Sequence, residues 1–208
     1  MIIQTTRFGS LDIEDSKLIT FPFGLPGFEH LSRWCILHPE GDVDISWFQS
    51  VEDPSVALLT ANPDALFPDY DIVVNERDLA PIGVRIEKTD NEAPPIALRV
   101  VVTVNGESQD LTANLRAPIL INTTTQLGLQ LPLIGTKFSV HHPLVVPTPQ
   151  AEPKEPGLNG KKTNGHKTNG HKTNGNGLAS QKGKPTLHTS LSVKTDSGML
   201  KSHVAANS

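Results

Sequence analysis

The groups in this 208-residue chain that could do acid–base or metal chemistry are eight histidines, of which one pair is adjacent, one cysteine and many carboxylates. His141 and His142 are neighbours, and adjacent strand residues point to opposite faces, so the two are poorly placed to grip one metal ion. Beside Pro143 they read as solvated or capping groups. Asp42, Asp44, Glu52, Asp53, Asp64, Asp69, Asp71, Glu76, Asp78, Glu107 and Asp110 fall mostly in turn-rich stretches, where acids usually bind water or nearby backbone N–H groups. A carboxylate pair for glycoside hydrolysis needs a separation that sequence does not set. Cys35, between Trp34 and Ile36, reads as a buried thiol, and a lone cysteine excludes an intrachain disulfide, which fits a reducing compartment. The sequence contains no GxSxG, phosphate-binding loop, GxGxxG or CxxC. A β-barrel hydrolase or metal-binding enzyme of unknown substrate therefore stands only as the alternative to a non-catalytic binding module, and no cofactor is expected.

One acidic segment has two readings. Asp69-Tyr70-Asp71 holds the only tyrosine of the chain. It is either a strand entry with Tyr70 half-buried and both acids in water, or an acidic edge that pairs with Lys or Arg of a partner. On the second reading Asp69, Asp71, Glu76, Asp78, Glu107 and Asp110 form the candidate partner-binding set.

Charge supports a protein partner. Residues 1–146 carry 9 Lys+Arg against 19 Asp+Glu, a formal −10, and residues 147–208 carry 9 against 3, a formal +6. Phosphate binding needs cations, so the acidic body argues against direct nucleic-acid contact. It complements a basic protein, although negative charge also simply keeps a domain soluble. The basic tail without aromatics would give at most salt-sensitive, sequence-blind RNA contact.

The elements that must position these groups are short strands. Candidates are Ile2–Thr5, Leu11–Ile13, Leu18–Phe21, Trp34–Leu37, Ile45–Gln49, Val56–Thr60, Ile72–Val74, Ile96–Val104, Leu111–Leu115, Ile119–Ile121, Leu127–Leu131 and Phe138–Val140, rich in β-branched and aromatic residues and bounded by Pro, Gly, Asn and Asp. The pattern predicts an all-β fold, a small antiparallel β-barrel-like domain with one or two short helical turns at 63–67 and after Asn75. The nearly continuous apolar run 96–104 predicts a strand buried on both faces. Between the first strands lies Phe21-Pro22-Phe23-Gly24-Leu25-Pro26-Gly27-Phe28-Glu29, a sharp turn that needs glycine at positive φ and carries aromatics, with core burial expected for Phe23, Leu25 and Phe28.

The domain ends near residue 146. No aromatic follows Phe138, and residues 147–208 read as a disordered, basic, low-complexity tail with KTNGH repeats at 162–175. The start of the chain shows no charged-then-apolar leader, and no apolar run reaches the ~18 residues a membrane span needs. A cytoplasmic, soluble protein without membrane contact, monomeric when free, is the expectation.

Several motifs fall in a family order. Phe8-Gly9 is followed by Ile19-Thr20-Phe21 and Gly24-Leu25-Pro26-Gly27-Phe28, then Phe48-Gln49-Ser50-Val51-Glu52-Asp53, Ala61-Asn62-Pro63 and Phe67-Pro68-Asp69-Tyr70. Thr112-Ala113-Asn114-Leu115-Arg116-Ala117-Pro118-Ile119-Leu120-Ile121-Asn122, Gln130 and His142-Pro143-Leu144 close the series. In order and spacing, residues 1 to about 146 resemble the flagellar assembly factor FliW family. The resemblance implies a β-barrel-like, non-catalytic protein that binds flagellin and antagonises the RNA-binding translational regulator CsrA, the two competing for it, so that repression of flagellin mRNA is relieved. Nothing is carried over to the tail.

Overall fold

The computed structural model describes residues 1–39, 44–85, 94–106 and 110–144, together with the backbone of two later strands. The strands are β1 (Ile2–Thr5), β2 (Gly9–Asp12), β3 (Leu18–Thr20), β4 (Arg33–Leu37), β5 (Ile45–Ser50), β6 (Ala57–Ala61), β7 (Ile72–Asn75), β8 (Ile96–Val104), β9 (Leu111–Ala113), β10 (Ile119–Asn122), β11 (Leu127–Gln130), β12 (His142–Leu144), β13 (Ser190–Thr195) and β14 (Gly198–His203). Among the described residues helix is confined to α1 (Pro63–Leu66), α2 (Glu76–Leu79) and two 3-10 turns, Asp15–Lys17 and Ala80–Ile82.

Seven strands close a barrel in the order β10-β11-β3-β4-β5-β6-β8, with β8 pairing back to β10. Its ladders are antiparallel except the join of β11 to β3, which is parallel and rests on Leu127 opposite Thr20. The far end of β8 leaves the barrel to pair with β9, and β9 with β12. Closure leaves these seven strands with no open edge.

Alternation along the strands sorts the side chains into three apolar layers. Ile19, Phe21, Trp34, Phe48, Ile119 and Ile121 fill the interior. On β8 the odd residues Ala97 and Val101 pack against this interior, while Ile96, Leu98, Val100 and Val102 face outward into a second layer, so the strand is buried on both faces as its sequence predicts. That outer layer is roofed by segment 63–84, which lays Tyr70, Ile72, Val74, Leu79 and Ile82 over it. The β1–β2 hairpin covers another part of the barrel, with Ile3 and Ile13 against Cys35. Burial raises the Cys35 thiol above its ordinary value, which makes it an inert core group.

The turn after β3 differs from expectation at one residue. Leu25 is buried and Phe28 sets its ring edge-on to Trp34, but Phe23 is 71% exposed. The Gly24 N–H closes the turn on the Phe21 carbonyl at 3.0 Å, which makes Pro22 and Phe23 the two central residues and turns them outward. The last strand also differs: 138–140 forms none, and β12 starts at His142 instead. Phe138 leaves the strand track to pack on Tyr70, with ring centroids 4.7 Å apart, and Pro143 is tolerated because β12 is an edge strand.

The segment Phe48–Asp53 shows what its residues do. Phe48 fills the interior, and buried Gln49 donates through Nε2 to the carbonyls of Ser50 at 2.9 Å and Val56 at 3.1 Å. The Ser50 hydroxyl accepts from the N–H groups of Glu52 and Asp53. Glu52 ties this turn to the start of β4. Its carboxylate accepts from the Ser32 N–H at 2.6 Å, the Arg33 N–H at 3.1 Å, the Ser32 hydroxyl at 3.1 Å and Arg33 Nε at 3.3 Å.

Partial burial by itself raises the Glu52 carboxyl, but the Ser32 and Arg33 donors outweigh it and hold the group below its ordinary 4.5. A value lowered on folding contributes stability that is complete above about pH 4.5 and is lost as pH falls through the folded value. Glu52→Gln is therefore expected to cost about 1–2 kcal/mol in urea unfolding near pH 7. The deficit should narrow as pH falls through the folded value and the wild-type carboxylate takes up its proton. A deficit that stays constant through acid titration would contradict the charged-acceptor account.

Candidate partner-binding surface

The roof segment 63–84 carries four of the six candidate acids, and local chemistry explains its course. Asn62 caps α1 by accepting the Asp64 N–H at 3.2 Å, and Pro63 takes the first helical position, where a missing N–H costs nothing. Pro68 follows at once, and the Tyr70 N–H turns back to the Phe67 carbonyl at 3.0 Å. Tyr70 is then driven inward. It is 1% exposed rather than half-buried, and its hydroxyl donates to the Leu115 carbonyl at 2.7 Å. Burial pushes its phenol far above the ordinary value, so it remains a proton donor across the working pH range. Tyr70 thus pins the acidic segment to the barrel.

With Tyr70 fixed, Asp69 and Asp71 stand exposed at the entry to β7, and Glu76 and Asp78 follow its exit on α2. Asn75 begins α2 without capping it through its side chain. Its Nδ2 instead donates to Asp78 Oδ2 at 3.1 Å. Four acids therefore bracket a single strand, whose Val73 is 52% exposed between buried Ile72 and Val74. Asp110 belongs to a different element, the β8–β9 turn, where its carbonyl accepts the Asn105 N–H at 2.9 Å. Glu107 lies outside the described residues, as does Asp42.

Beside the Asp69 end lies an open groove of about 440 Å³ with an aromatic floor. Phe67, Tyr70, Phe138 and His142 line it, with Asp69 and Lys137 among its polar groups. Phe67 meets the His142 ring edge-to-face at 5.3 Å. His142 is thereby an aromatic wall of the groove, while the His141 N–H bonds the Ser139 hydroxyl. The two histidines do not act as a pair.

Sequence reasoning placed Asp69 and Asp71 but missed the groove, because its walls come from segments some seventy residues apart. The signals present were Phe67 and Tyr70 flanking Pro68-Asp69, and Phe138 as the last aromatic.

Among the described residues, no three His, Cys, Asp or Glu side chains are grouped to hold a metal ion, and no helix is long and apolar enough to cross a membrane. Arg99, half-buried on β8, has its pKa lowered chiefly by desolvation, opposed by the charges of Asp44 and Asp64.

Comparison with known proteins bears on the same span. The FliW protein family model matches residues 2–144. The flagellar assembly factor FliW of Moorella thermoacetica is 36% identical over 144 residues, covering 69% of this chain and 88% of that protein. Its counterpart from Thermotoga neapolitana is 34% identical over 141 residues, covering 68% and 91%. A crystal structure of the flagellar assembly factor FliW superposes with a TM-score of 0.60 at 31% identity, covering 69% of this chain and 96% of that one. Motif order, barrel and relatives agree over one and the same stretch, and the chain belongs to the FliW family.

Proposed function

We propose that this protein is a non-catalytic flagellar assembly factor of the cytoplasm, which binds flagellin and the translational regulator CsrA and, by holding CsrA, relieves repression of flagellin mRNA translation. Membership of the FliW family over residues 2–144 carries this reading. The formal −10 of residues 1–146 supports it, because an RNA-binding regulator presents basic groups that such a body complements. The acids Asp69, Asp71, Glu76 and Asp78 around β7, with Asp110 and Glu107 as further members of the set, are the proposed CsrA contact. For flagellin, whose unassembled termini are amphipathic, an apolar site is required, and the aromatic groove beside Asp69 is the proposed seat.

The test is calorimetry of the full chain with purified CsrA and with flagellin, at low and high salt. Asp71→Arg and Glu76→Arg should each weaken CsrA binding about tenfold or more at low salt, with the difference shrinking at high salt as screening sets in. Unchanged affinity in both variants removes this patch. A wild-type chain that ignores both proteins at modest ionic strength removes the function.

A further inference from the structure

Strand β7 is anomalous. Among the described residues it forms no ladder with any strand of the barrel or with β9 and β12. Its one ladder partner is β13, from the far end of the chain, in a three-stranded sheet ordered β14-β13-β7. The tail was expected to be without order, yet its backbone forms this hairpin, and the cause is visible in sequence. Ser190-Leu191-Ser192-Val193-Lys194-Thr195 alternates polar and apolar with period two, which the surrounding low-complexity composition conceals.

We propose that β7 is an open β-edge suited to an extended peptide, and that the chain's own segment Ser190–Thr195 occupies it in cis, as a built-in competitor of any partner that adds a strand there. The second half of this proposal rests on the protein being a binder of other polypeptides, as set out above.

Three observations carry it. The parallel register sets Leu191 opposite Ile72 and Val193 opposite Val74, so the apolar positions of the tail align with the two β7 residues buried in the outer layer. Ser192 and Lys194 fall opposite exposed Val73 and Asn75. The hairpin is internally consistent: the β13–β14 register ends at Thr195 opposite Gly198, leaving a two-residue connection, the commonest hairpin length. Charge agrees as well. The edge lies between Asp69 and Asp71 on one side and Glu76 and Asp78 on the other, whereas residues 147–208 hold 9 Lys+Arg against 3 acids.

A backbone edge pairs with any extended chain, so specificity must come from alternate side chains and charge. The fitting occupant is a parallel strand with apolar residues at alternate positions and basic residues near them, which describes the tail. Covalent attachment makes the contact intramolecular, so even weak strand addition is populated without a second molecule.

Native-state hydrogen exchange on the full chain tests this. Val193→Pro removes a backbone donor and fixes φ in the middle of β13, outside the barrel, so the body keeps its fold. The alternate amides of residues 72–75 that point at β13 should exchange at least tenfold faster in the variant than in the wild type. A synthetic peptide spanning residues 187–205, added to the variant, should slow them again. The same peptide carrying a fluorophore should bind the variant at least tenfold more tightly than the wild type. Equal exchange in the two chains, or equal peptide affinity, overturns the proposal. Protection that rises with protein concentration assigns the occupant to a second copy's tail and overturns the cis arrangement. Failure to bind flagellin and CsrA would defeat the proposed function while leaving the exchange difference intact, so the two failures are separable.

Discussion

Trp34→Ala is expected to remove about 3–5 kcal/mol of stability and to lower the melting temperature of the full chain by roughly 10–15 °C. Trp34 is fully buried at the centre of the barrel interior. Phe28 stands edge-on to it at 6.1 Å and Phe48 lies 6.3 Å away, so removing the indole leaves both rings facing a void. Its Nε1 donates to the Leu31 carbonyl at 3.2 Å, and that acceptor would lose its donor in a dry site. Collapse to fill the gap is resisted because a closed ring of strands cannot close inward without breaking ladders. Thermal unfolding followed by circular dichroism checks this, and a fall of less than about 4 °C would mean that the interior is looser than its geometry implies. Trp34→Phe should recover roughly half of the loss, since it restores ring volume without the hydrogen bond.

Gly24→Ala is expected to cost roughly 2–5 kcal/mol, combining left-handed backbone with overpacking. Gly24 has φ +66, and a Cβ there would fall 2.5 Å from the Glu29 Cα and 2.6 Å from the Glu29 carbonyl oxygen. Those atoms are backbone, so they can move only by unwinding the turn that carries Leu25 and Phe28 into the core. Gly9→Ala is the control, because Gly9 has a similar φ of +70 with nothing within 4 Å of its would-be Cβ. Its cost should be limited to the backbone penalty of about 1–2 kcal/mol. Equal losses in the two variants would show that conformation alone, and not the approach of Glu29, makes glycine necessary at position 24.

Local patterning carried most of the barrel. The nearly continuous apolar run from Ile96 to Val104 marked β8 as covered on both sides. Phe23 misled because apolarity is a poor guide at the corner of a tight turn, where backbone closure sets direction. Residues 138–140 misled because Phe138 is drawn to Tyr70, a contact across nearly seventy residues that no local window contains.

The candidate surface was legible in its charges and illegible in its shape. Asp69, Asp71, Glu76 and Asp78 could be read from the chain. That they bracket a strand with no ladder partner among the described residues of the body depends on pairing, which sequence does not display. The hairpin at 190–203 was hidden for a compositional reason, since the one short alternating run at 190–194 is diluted by the repeats before it.

The single-pair join between β11 and β3 has a mechanical consequence. A cylinder has no end from which to fray, so loss of order must begin at its weakest seam. There a single register pair, Leu127 opposite Thr20, joins the two strands, the Thr20 N–H bonds the Gln126 carbonyl, and Gln126 itself sits at φ +55. Opening at that line would convert the cylinder into a flat ribbon with two new rims while the remaining ladders stay zipped, which makes it the natural hinge for any partial unrolling of the molecule.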